Sequence, residues 1–131
     1  MNKFLKYHLP ALLFAGLIIG LSSIQNVKFR PVRMIAFDKI VHFIEYSIFA
    51  FLAFRSVSNI SNRLNLNKSL LLSVLVVSLF AWGDETYQRF VPGRQFDVYD
   101  LLTDVLGSIL VMTFLWFRSK RKNESITLDK A

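Results

Sequence analysis

Between Tyr7 and Val27 the sequence carries no Lys, Arg, Asp or Glu, an uncharged run long enough for the roughly 20 helical residues that a hydrocarbon core demands. Later segments extend the pattern. A helix is expected from near Asp38 to about Val57, with His42 and Glu45 among Ile, Val, Phe and Leu. The runs Ser69–Gly83 and Val105–Phe117 are uncharged but too short at about 1.5 Å per residue to span comfortably. Each must therefore take in its charged end, the third helix reaching through Asp84 and Glu85 and the fourth starting near Asp100 with Asp104 in its first turns. Asn59–Asn67 is a polar turn, and Pro92-Gly93 marks another. With 53% hydrophobic residues in 131, the composition suits lipid rather than water. The expected fold is all-α, an integral membrane bundle of four transmembrane helices. Residues 1–122 form this domain and 123–131 a polar, unstructured tail.

The net charge of +7 points to anionic lipid, because long uncharged Leu-, Ile- and Phe-rich stretches interrupt any nucleic-acid-binding patch. No nucleic-acid partner is expected. The absence of cysteine excludes disulfides, thiolate metal sites and a Cys nucleophile. Four spans place Lys3, Lys6, Arg55, Arg63, Lys68, Arg118, Lys120, Arg121, Lys122 and Lys130 on the side of the termini. That side holds most of the basic residues and is expected to be cytoplasmic, N-in and C-in. Lys28, Arg30, Arg33 and Lys39 on the opposite side weaken this asymmetry without reversing it. A cleavable signal is the rival reading of the first segment, with Gly20-Leu-Ser22 as the cut. Gly16 and Gly20 share one helix face; packing within this chain is the plain reading of that spacing.

The acidic residues segregate more sharply. Asp38, Glu45, Asp84, Glu85, Asp97, Asp100 and Asp104 all fall on the side away from the termini, and this needs only alternating helix direction. Asp38, His42 and Glu45 form one stripe, Asp97, Asp100 and Asp104 a second, and Asp84 and Gln88 share a face. Facing lipid, such groups would each cost a few kcal/mol or more, so the stripes are expected to turn inward and meet, with Lys39 and Arg94 as countercharges. Three chemistries fit the resulting polar pocket: a divalent cation held by His42 and carboxylates, acid–base work by His42 with Asp38 or Glu45, and recognition of a polar headgroup or sugar by carboxylates, Gln88 and Arg94. No compact metal motif and no nucleophile declares itself.

The segments Asp38-Lys39-Ile-Val-His42-Phe43-Ile-Glu45-Tyr46 and Asp84-Glu85-Thr-Tyr-Gln88-Arg-Phe-Val-Pro92-Gly93-Arg94, followed by Asp97, Asp100, Asp104 and Gly107, resemble the signature of the VanZ-like family. Asp104 stands where members of that family commonly carry Asn. The resemblance implies a small multi-pass protein of the bacterial inner (cytoplasmic) membrane; the namesake of the family is associated with resistance to the glycopeptide teicoplanin. It supports His42, Glu45, Asp84, Glu85, Gln88, Arg94, Asp100 and Asp104 as site candidates, and it supplies no reaction. The expected partners are the bilayer and a lipid-linked envelope precursor or glycopeptide at the outer leaflet. The alternative is a small structural or interaction subunit of a larger membrane complex. A coupled transporter ranks last, since the carboxylates gather at one face with no charged relay across the bundle.

Overall fold

The computed structural model describes residues 2–24 and 32–128. Among these residues four helices are long and apolar enough to cross a membrane: Phe4–Ser22, Phe37–Val57, Leu66–Gln88 and Val98–Lys122. The first opens as a π-helix, Phe4–His8, and continues as α1, Leu9–Ser22. The others belong to α2 (Val32–Val57), α3 (Leu66–Gln88) and α4 (Val98–Leu128). No strand occurs among the described residues. The cations Lys28 and Arg30, and Lys130, lie outside the described residues.

Three boundaries differ from expectation. α1 ends at Ser22, with Ser23 as its C-cap, rather than at Val27. α2 begins at Val32 rather than near Asp38, so Arg33 is helical and not part of a loop. α4 continues beyond the basic cluster to Leu128, because Lys, Arg and Glu leave the hydrocarbon but remain good helix formers. The turns follow local chemistry. Asn65 caps α3 by accepting the backbone N–H of Lys68 at 2.9 Å, and Gly93 takes φ 83° after Pro92, a conformation suited to glycine.

Side-chain bonds fix the alternation of helix direction. At one end His8 Nδ1 lies 2.8 Å from Ser56 Oγ, joining the start of the first span to the end of α2. At the other end Ser22 Oγ donates to Asp84 Oδ2 at 2.8 Å, joining the end of α1 to the end of α3. Lys39 near the start of α2 reaches Asp100 near the start of α4. α2, α3 and α4 form the body of the bundle, and α1 lies at its edge. Their core is Tyr46, Phe49, Ala50, Ala53, Leu70, Val77, Ala81 and Met112, joined by Ile18 of α1. Leu13, Phe37, Leu79, Phe90 and Phe114 face outward, an apolar belt that lipid covers.

The close helix contact falls at a different glycine from the pair expected to pack. Among the described residues a Cβ at Gly16 or Gly20 would meet no other part of the chain within 4 Å, so neither is a close helix contact. Gly107 is the close-contact glycine. A Cβ there would lie 2.9 Å from Phe43 O and 2.9 Å from Ser47 Oγ, so α4 rides directly on the backbone of α2.

Candidate functional site

The polar groups meet at the end of the bundle where α1 and α3 finish and α2 and α4 begin. Helical spacing explains why. Lys39, His42 and Tyr46 follow one stripe of α2, Asp84, Glu85 and Gln88 occupy the last turns of α3, and Asp100 and Asp104 stand one turn apart on α4. Hydrocarbon surrounds the outer faces, so each stripe turns into the bundle. Asp84, Glu85 and Asp104 are 1%, 0% and 0% exposed, and His42, Gln88 and Asp100 are buried too.

One network centres on α3. Asp84 Oδ2 accepts from Ser22 Oγ at 2.8 Å, from the Tyr46 hydroxyl at 3.3 Å and from Gln88 Nε2 at 3.3 Å. Gln88 Nε2 also lies 3.2 Å from Glu85 Oε1, and Glu85 Oε2 accepts the backbone N–H of Asp97 at 3.0 Å. A second set joins α2 to α4. His42 Nδ1 lies 3.1 Å from Asp104 Oδ1, and Lys39 Nζ donates to Asp100 at 2.7 Å and to Asp97 at 3.1 Å. His42 stacks on Tyr46, with ring planes 4° apart. Two buried carboxylate oxygens, Asp84 Oδ1 and Asp104 Oδ2, have no hydrogen-bond partner among the described residues.

His42, Glu85 and Asp104 each bring a ligand atom to within 4.8 Å of the other two; Asp38, His42 and Asp100 form a second such group. Lys39 and Asp97 are partly exposed, at 29% and 41% for their side chains, and sit at the rim of the cluster. Asp97 also starts α4, accepting the backbone N–H of Tyr99 at 2.7 Å. Partial burial works to raise its pKa, but that N–H and the Lys39 ammonium outweigh it and hold the carboxyl below the usual aspartate range.

Of the residues singled out in sequence, Lys39, His42, Asp84, Glu85, Gln88, Arg94, Asp97, Asp100 and Asp104 are joined by these bonds. Asp38 approaches through His42 and Asp100. Glu45 is half-buried, and no hydrogen bond among the described residues ties it to the cluster. Arg94 hydrogen-bonds no carboxylate among the described residues. Its guanidinium donates to Gln88 Oε1 at 3.1 Å and to the carbonyls of Leu21 and Ile24 at 3.4 and 3.3 Å, closing the end of α1. Ser22 and Tyr46 join the cluster although neither is a site candidate in the sequence. The signal for Tyr46 is its position one turn after His42; Ser22 carries only the weak signal of a hydroxyl at the end of an apolar helix.

Four apolar spans around a buried cluster of carboxylates and one imidazole define a multi-pass helical membrane protein with a polar interior at one end. A family model described as VanZ/LLP1 matches residues 4–119, and the chain belongs to that family. "Uncharacterized protein C11E3.10" of Schizosaccharomyces pombe is 31% identical over 94 residues, which are 71% of this chain and 55% of that protein. The chain thus spans little more than half the length of that relative. No solved structure matches it.

Proposed function

We propose that this chain is a cell-envelope protein of a bacterial inner membrane, N-in and C-in, whose cluster binds the polar part of a lipid-linked or glycopeptide-like ligand at the outer leaflet. Residues 1–122 are its membrane domain. The observation that carries this reading is the convergence of His42, Asp84, Glu85 and Asp104 from three helices, all buried, with two carboxylate oxygens unpartnered. A bundle selected only for stability would favour apolar residues here, and ionisable groups kept within a membrane mark binding sites and pathways. The layout favours a ligand as well: Lys39, Arg94 and Asp97 form a partly exposed polar rim above the buried groups, suited to phosphate, sugar or peptide. Antibiotic resistance enters through such a ligand and rests on the family resemblance.

The test replaces His42 by Ala and Asp100 by Asn in cells that depend on this protein. Each substitution is expected to remove its effect on teicoplanin susceptibility or on the pool of lipid-linked envelope precursors, with the protein still present in the membrane. Folded variants that leave both unchanged would refute the ligand reading. One observation favours the alternative, a subunit of a larger complex: the Gly16 and Gly20 face of α1 is open. Recovery as a lone monomer in mild detergent, with no crosslinked partner in cells, would count against it.

A further inference from the structure

We infer that His42, Glu85 and Asp104 form a divalent-cation site at the centre of the cluster. Each comes from a different helix, α2, α3 and α4, and their ligand atoms all lie within 4.8 Å of one another. Metal–ligand bonds of about 2.0–2.2 Å place neighbouring ligands of one ion roughly 3–3.6 Å apart, so side-chain shifts of less than about 1 Å would close the set. The second observation is independent of that spacing. Asp104 is 0% exposed and its Oδ2 has no partner among the described residues, although its Oδ1 is taken by His42. A fully buried carboxylate oxygen left unsatisfied is costly in so dry a place, and an ion beside it removes that cost.

Charge points the same way. Three fully buried carboxylates, Asp84, Glu85 and Asp104, face a single directly bonded basic partner, the His42 imidazole, among the described residues. Lys39 is engaged by Asp97 and Asp100, and Arg94 by Gln88 and the carbonyls of α1. A dication balances most of the remaining negative charge. One imidazole nitrogen with carboxylate oxygens suits a first-row ion tolerant of mixed ligation, Mn²⁺ or Zn²⁺, better than Ca²⁺. Seated there, the ion would lie beneath the Lys39 and Arg94 rim, placed to take a phosphate or carboxylate oxygen of a ligand.

This inference rests on the same cluster being a site, as proposed above, but its test contains none of the proposed ligands. The full chain in phosphatidylcholine nanodiscs, stripped with EDTA, is titrated with MnCl₂ while electron paramagnetic resonance follows free Mn²⁺. One saturable Mn²⁺ per chain is expected, displaced by Zn²⁺ and weakened about tenfold or more by Glu85→Gln and by Asp104→Asn. No saturable binding by the folded wild-type chain would overturn the site, as would unchanged affinity in folded variants. Because the wild-type titration is decisive alone, a misfolded variant does not rescue the inference. The two proposals fail separately. Absent Mn²⁺ binding removes the cation site and leaves the ligand reading standing, whereas intact binding with no effect of His42→Ala in cells upholds the cation site and removes the ligand reading.

Discussion

Replacing His42 by alanine is expected to destabilise the bundle by about 3–5 kcal/mol, the usual cost of removing one partner from a buried ionic pair. Asp104 is 0% exposed and has one bonded oxygen, held at 3.1 Å by His42. Without the imidazole, both oxygens of that carboxylate lack a partner in the protein interior. Tyr46 loses the ring stacked on it, and a cavity replaces the ring. The matched double variant, His42→Leu with Asp104→Leu, is expected to regain most of the stability, because it removes the desolvated charge and refills the space. It should still be inactive. Reversible unfolding in SDS, followed by the fluorescence of the two tryptophans, measures both. A single variant as stable as the wild type, within about 1 kcal/mol, would mean that the pair is solvated rather than buried.

Gly107→Val has the second-largest expected effect, about 1–3 kcal/mol of destabilisation from overpacking. Even a bare Cβ would sit 2.9 Å from Phe43 O, and a backbone carbonyl in the middle of α2 cannot swing aside. The two helices must separate. His42 adjoins Phe43 and Asp104 lies one turn before Gly107, so the 3.1 Å contact between them is expected to lengthen with the separation. Gly16→Ala and Gly20→Ala are the contrasting controls. With no atom within 4 Å of either added carbon, they should be neutral or stabilising by up to roughly 1 kcal/mol through helix propensity. Destabilisation by both alanines and none by Gly107→Val would invert the packing described here.

The same glycines show where sequence reasoning stops. A Gly-x-x-x-Gly spacing is visible in one dimension, but whether anything lies opposite it is a tertiary fact, and here a lone glycine holds the close contact instead. The spans and the cluster are legible for a different reason. Hydrocarbon tolerates neither a short helix nor an outward carboxylate, so the length deficit of the third and fourth apolar runs forces Asp84, Glu85 and Asp104 into the bundle. Helix ends are less legible. Arg33 and the run after Phe117 signal departure from the apolar layer, which is separate from the end of helical hydrogen bonding, and both helices carry on. Solvation of individual groups is also hidden. Asp84 and Asp97 are both expected to turn inward, yet one is 1% exposed and the other 41% at its side chain, because the first is held by Ser22 and Tyr46 while the second starts a helix at the rim. Arg94 shows the remaining gap. Its charge suggests a carboxylate, but carbonyls at the end of α1 lie nearer.

The buried cluster exists only if α2 and α4 meet through their polar stripes. Solid-state NMR of the chain in bilayers, with nitrogen-labelled histidine and carbon-labelled aspartate, reads that meeting directly because there are only two histidines. The His42 imidazole is expected to couple strongly to an aspartate carboxyl carbon, consistent with a 3.1 Å nitrogen–oxygen contact, and in Asp104→Asn that coupling should fall to the weaker ones from Asp38 and Asp100. A folded protein in which neither histidine couples to any aspartate carboxyl would contradict the buried cluster and the functions built on it.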